Sequence, residues 1–232
     1  MGLVTAHQWR GTLSLLATAV LVVVGSWQRW PWYSTSLSVL ALVIYGLLEM
    51  YEAAASDSRK IAFVATMSAV AAVSRTVVQG VPGLQPATFF VILSGYSFGP
   101  VTGAAVGAFT ALGSNLFLGE GGWTPWQMLA WGLAGATAGW LRKLVPNYAA
   151  FALVPFGFVW GYVFGWIMNT WSWLSAGTTT IQAYLALCGL SVWFDTTHAL
   201  ATAVLLAVVG KPVFRTLERY RRKMTFVRMG RT

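Results

Sequence analysis

Charge is what this sequence has least of. Only 9% of its 232 residues are Asp, Glu, Lys or Arg, while 57% are hydrophobic. Soluble domains carry about 25% charged residues, and a soluble fold of this length could not hide so much apolar surface. Cysteine is nearly absent too. The one thiol, Cys188, excludes an internal disulfide and shows no metal-ligand spacing. His198 has no second histidine or thiol cluster near it in sequence, so a metal site has no basis and no cofactor is expected. Gly-x-Ser-x-Gly, His-Glu-x-x-His, a phosphate-binding loop and the paired acidic motifs of prenyl transfer are all missing. If the chain moves something, it therefore works passively or another subunit supplies the energy. Strict two-residue alternation is missing as well, which argues against a β-barrel.

Long apolar blocks take the place of these features. Runs such as 11–26 and 199–210 read as membrane-spanning helices, because a span must pair every backbone polar group within itself. The first of them is not a signal peptide, since the following GSWQRW lacks a small-residue cleavage site. Turn signals at WPWYS, QGVPGLQP, Gly99–Pro100 and VPN divide the chain. They place spans at 10–27, 35–53, 60–79, 86–99, 101–118, 125–142, 149–170 and 183–210. The expected fold is an all-α polytopic membrane protein in which the short 86–99 span packs inside the bundle.

The net charge of +9 invites a nucleic-acid reading, but its distribution excludes one. Eight of the fifteen Lys and Arg residues follow residue 210, as a basic cytoplasmic anchor drawn to anionic lipid. Eight spans put both termini on one side. With that side cytoplasmic, Arg10, Arg59, Lys60, Arg142, Lys143 and the basic tail all lie inside, and Arg29 alone lies in an outer loop. This satisfies the positive-inside rule. The outer connections are then 28–34, 80–85, 119–124 and 171–182. The loop EAAASDSRK, 52–60, divides two amino-terminal helices (1–57) from a core (58–212), followed by the basic tail (213–232).

This orientation gathers the unusual residues at the outer face: Gln85, Asn115, Glu120, Trp123, Gln127, Asn169 and Trp173. Arg75 lies roughly 22 Å along its helix. An arginine at that depth costs at least about 2.5 kcal/mol, and it either snorkels to the headgroups or faces the bundle interior. In the second case it points into an outward cavity and pairs with Glu120 or Asp195. Asp195 and His198 are three residues apart on one helix face, near the midplane. They read as a structural pair bonded to each other or to hydroxyls, or as ligand contacts. Asn115 and Glu120 have helix capping and turn formation as a competing role. Gln127 is one turn from Trp123 and Trp131, which forms an aromatic and amide surface. Ligand contact is expected of Trp123 and Gln127, and interface anchoring of Trp126. Ala62, Ala65, Ala69 and Ala72 form a small-residue stripe that permits close helix approach or simple packing, as do Gly103, Gly107 and Gly113.

The run from Gln85 to Leu141 resembles the substrate-binding S components of energy-coupling-factor (ECF) vitamin transporters. The resemblance rests on the Phe-Gly-Pro turn at 98–100, Gly103, Gly107, SNLFLG at 114–119 and WTPWQMLAWG at 123–132. The alanine helix at 62–72 and FDTTHAL at 194–200 extend it over about residues 58–212. It implies a six-helix core that binds a micronutrient at its outer face. It also implies partners: a transmembrane T component, docked through the alanine helix at Ala65 and Ala69, and two ATPase subunits. In the family the S component topples in the membrane to deliver its vitamin inward. The chain would then be a multi-pass protein of a prokaryotic plasma membrane and not an enzyme. The two extra amino-terminal helices depart from the family's six spans. The WTPWQMLAWG block looks most like S components linked with cobalamin or its precursors, whose breadth would suit a wide tryptophan-lined mouth. Two rivals remain: an intramembrane enzyme using Asp195 and His198 as acid and base on a lipid-like substrate, and a ligand-free sensor or structural partner.

Overall fold

The computed structural model describes residues 30–53, 58–177 and 180–229, with scattered positions between 13 and 28. The expected first span, 10–27, lies largely outside the described residues. All regular structure within them is helical: α1 (Trp32–Ala53), α2 (Ser58–Val77), α3 (Pro86–Phe98), α4 (Pro100–Leu118), α5 (Thr124–Leu144), α6 (Ala150–Ser175), α7 (Ile181–Val208) and α8 (Gly210–Met229). Most boundaries fall within about three residues of the expected ones, the usual error of single-sequence reading. The exception is α6, expected to stop at 170. Its apolar, aromatic character continues to Ser175, so Trp171 and Trp173 stand on its last turns rather than in a loop.

α2, α4, α6 and α7 are long and apolar enough to cross a membrane by length and composition. α3 has only 13 residues and is the hub, touching α2, α4, α5, α6, α7 and α8. A helix apolar on every side has no solvent face to offer and belongs inside. Accordingly Phe89, Val91, Ile92, Leu93 and Tyr96 are all buried. Gly99 joins α3 directly to α4. Its φ of +94° is strained for side-chain-bearing residues, and Pro100 follows at the first helical position, where its missing N–H costs nothing.

Three glycines let α3, α4 and α5 meet backbone to backbone. A methyl group on Gly95 would fall 1.9 Å from the Gly135 carbonyl oxygen, and one on Gly103 would fall 2.4 Å from the same atom. Gly107 is equally committed, 2.3 Å by the same measure from the Trp131 carbonyl oxygen, whereas Gly113 only meets the Ala72 methyl at an ordinary 3.5 Å.

α1 flanks the bundle against α5, with lesser contacts to α4 and α6. Here the structure corrects an expectation. Trp126 is not an interface anchor but is fully buried, its indole N–H donating to Ser36 of α1 at 3.0 Å. An indole enclosed by protein needs an acceptor, and the amino-terminal flank supplies it. Residues 213–229, expected as a tail, form most of α8. One face of this helix packs inward through Phe214, Leu217 and Met224, against α3 and α7.

Candidate functional site

α6 and α7 pack along each other extensively and touch the remaining helices more sparingly. The seam between this hairpin and the α2–α5 block collects the polar residues of the outer half. On the block side, Arg75 of α2 is buried and donates through Nη1 to Ser114 Oγ and to Asn115 Oδ1 at 2.8 Å. Asn115 Nδ2 in turn donates to Thr124 Oγ1 and Gln127 Oε1, both at 2.8 Å. Thr124 Oγ1 donates to Glu120 Oε2 at 2.6 Å. Four expected residues, Arg75, Asn115, Gln127 and Glu120, thus form one network across α2, α4, the α4–α5 turn and α5. Buried polar groups demand such partners.

Two alternatives for Arg75 are corrected. It does not snorkel, and its partners are neutral oxygens rather than Glu120 or Asp195. The carboxylates are held elsewhere, while the Ser114 and Asn115 oxygens lie one helix away in the tight α2–α4 contact.

An aromatic wall continues the network. The Arg75 guanidinium carbon lies 5.1 Å from the Trp131 ring centroid, within cation–π range. Trp131 is fully buried and donates through Nε1 to Thr88 Oγ1 at 2.9 Å. That hydroxyl also lies 2.6 Å from His198 Nε2. Phe164 completes the wall, its ring centroid 4.7 Å from Trp131 and 5.1 Å from His198. This contact joins the block to the α6–α7 hairpin.

Asp195 belongs to a second group on the hairpin. Ser191 Oγ donates to its Oδ2 at 2.8 Å, and Asn169 Nδ2 donates to Ser191 Oγ at 2.8 Å and reaches Cys188 Sγ at 3.6 Å. Asp195 and His198 therefore do not bond each other. Each instead meets a hydroxyl through one atom, Asp195 Oδ2 with Ser191 and His198 Nε2 with Thr88. Gly165 leaves the room that Asp195 needs: a methyl there would fall 2.0 Å from its Oδ1.

Several buried polar atoms on these elements have no partner. Among them are Arg75 Nε, Gln85 Oε1, Trp171 Nε1, Asp195 Oδ1 and His198 Nδ1, with Thr202 Oγ1 further along α7. Each such orphan costs about 1–3 kcal/mol. They are drawn from α2, the turn before α3, α6 and α7.

The remaining expected residues divide. Trp123 packs edge-on against Trp171 at 5.6 Å, at the outer end of the seam. Trp173 is not joined to the cluster. Its indole donates to the Thr180 carbonyl at 2.9 Å and its ring meets Tyr184, closing the α6–α7 connection. Ala62, Ala65 and Ala69 are exposed along α2, but Ala72 is buried because α4 approaches there. Sequence reasoning missed Thr88, Ser114, Thr124, Ser191, Phe164 and Trp171. Isolated hydroxyls in apolar helices are too common to signal a site. No group of three or more His, Cys, Asp or Glu among the described residues could hold a metal ion.

A family model described as ECF-type riboflavin transporter, S component, matches residues 56–219. No curated protein and no solved structure matches the chain. The matched description favours the riboflavin type over the cobalamin-related type expected from WTPWQMLAWG. Trp126 and Trp131 are enclosed in the core rather than standing at a mouth.

Proposed function

Because the chain belongs to the family of ECF-type riboflavin transporter S components, we propose that it captures riboflavin or a close flavin relative in the outer seam between the α2–α5 block and the α6–α7 hairpin. As a member it is a membrane-embedded transport subunit that works with T and ATPase partners, and it is not an enzyme. The observation that carries the flavin site is the set of unpartnered polar atoms beside an aromatic wall. A flavin offers a flat ring system for Trp131 and Phe164. The donors and acceptors on its ring edge and polyol chain can occupy Arg75 Nε, Asp195 Oδ1, His198 Nδ1 and Gln85 Oε1. Apolar walls with a few converging polar groups are the usual make-up of small-molecule sites.

Entry would require the hairpin to part from the block at its outer end, where Trp123 packs against Trp171. The exposed Ala62, Ala65 and Ala69 face is the proposed T-component contact, because small side chains allow close helix approach. Tryptophan fluorescence of the purified chain, titrated with riboflavin, its 5′-phosphate and cobalamin, tests the proposal. Saturable quenching by riboflavin at the lowest concentration supports it. Cobalamin saturating first would overturn the flavin assignment, and no vitamin binding at all would overturn capture itself.

A further inference from the structure

The opposite end of the bundle carries a basic cleft. A cleft of about 580 Å³ opens between the end of α5 and the polar face of α8, lined by Arg142, Arg215, Arg219 and Arg222 with Phe214 and Glu218. Four guanidinium groups face a single carboxylate there. Arg215, Arg219 and Arg222 recur at i, i+4 and i+7, one stripe of a helix. Their side chains are exposed, whereas Phe214 and Leu217 of the same helix are buried.

Arg142 forms the back of the cleft. Its guanidinium carbon lies 4.8 Å from the Phe214 ring centroid and 5.3 Å from that of Tyr96. Nη2 reaches Glu218 at 3.5 Å, while Nη1 is buried and has no partner. Glu218 is already shared, contacting Arg221 and lying 3.8 Å from Arg222 Nε. The carboxylate therefore cannot neutralise the group, and Arg215 has no hydrogen-bond or ion-pair partner among the described residues.

We propose that this cleft holds the phosphate headgroup of an anionic phospholipid in the inner leaflet. Planar guanidinium groups match a phosphate's paired oxygens. The charge distribution puts this end of the bundle at the cytoplasmic surface, where anionic lipid attracts basic segments. α8 packs its apolar face against the bundle and leaves the arginine stripe exposed. A bound lipid would tie α8 to the membrane at a fixed place, independently of the vitamin site.

The test is native mass spectrometry of the full chain from mild detergent, titrated with phosphatidylglycerol or phosphatidylcholine. Phosphatidylglycerol should bind at least about tenfold more tightly, and Arg215→Ala with Arg219→Ala should remove most of that preference. Lys211→Ala, on the same helix but outside the cleft lining, should retain it. If the double variant fails to fold, Arg222→Gln provides the comparison, since that side chain is 73% exposed. Equal binding of the two lipids, or equal loss in Lys211→Ala, would overturn the site. Inorganic phosphate protecting the chain without any lipid preference would assign the cleft to a free anion and overturn the lipid reading.

Discussion

Arg75 and Trp131 meet across two helices: the guanidinium of one lies 5.1 Å from the ring centroid of the other. The same arginine holds Asn115, and the same indole holds Thr88. This single contact therefore joins the polar network of α4 and α5 to the aromatic wall that reaches His198 and the α6–α7 hairpin. A desolvated cation–π contact is worth about 2 kcal/mol, enough for a change at either residue to be felt by the other. Outer polar groups and inner aromatic wall behave as one device.

Arg75→Ala should weaken riboflavin binding tenfold or more, a loss of about 1.4 kcal/mol. It removes the unpartnered Nε and releases Asn115 from its orientation. Arg75→Lys should fail to restore affinity, because a point-like ammonium cannot both bond Asn115 and stack on Trp131. Fluorescence titration reads both variants, and wild-type affinity in Arg75→Ala would remove this residue from the site.

Trp131→Phe keeps an aromatic ring but deletes the Nε1–H that Thr88 accepts. The loss of that hydrogen bond and of part of the packed ring should lower stability by about 1–3 kcal/mol. Thermal unfolding in detergent measures it. An unchanged midpoint would mean that the buried indole N–H contributes nothing to holding the wall together.

Two neighbouring glycines of α6 should respond differently to alanine. A methyl at Gly161 would fall 2.4 Å from the Ala199 Cα, which is backbone, whereas one at Gly165 would meet the Asp195 carboxylate at 2.0 Å. Backbone cannot step aside, so Gly161→Ala should destabilise the hairpin by about 1–3 kcal/mol. The Asp195 side chain can rotate away. Gly165→Ala should therefore keep more of the fold while weakening riboflavin binding through a displaced Asp195. Parallel melting and titration curves compare the two, and the reverse ranking in stability would refute this account.

Apolar run length and turn residues made the helices legible, because the bilayer fixes both the period and the length of a span. Depth pointed to a buried role for Arg75, since an intramembrane cation has few places to go, and the charge-derived orientation put Asn115 and Gln127 together at the outer face. Partner choice was not legible. Arg75 meets Ser114 and Asn115 rather than a carboxylate because α2 packs along α4, a three-dimensional fact absent from residue spacing. Trp126 misled for a related reason. Its residue type suits the membrane interface, and only the docking of α1, with Ser36 as acceptor, explains why it is buried. The basic tail misled through composition, since its arginines hid the Phe214, Leu217 and Met224 spacing that makes α8 a packed helix.

The alanine helix gives the sharpest separation of capture from transport. Ala62, Ala65 and Ala69 are exposed on α2, whereas Ala72 is 4% exposed and lies against Gly113. Ala65→Leu with Ala69→Leu adds bulk on an exposed face of α2, whereas Arg75 and Trp131 are buried, and sites without shared partners act independently. Riboflavin affinity should stay within about twofold of wild type, while co-purification with the T component and ATPase subunits, and uptake by cells, should be lost. Ala72→Leu should do the opposite and destabilise the isolated chain by about 1–3 kcal/mol through overpacking. Retained uptake in the double variant would move the docking surface to another face. Lost affinity would show instead that the α2 stripe is coupled to the vitamin site.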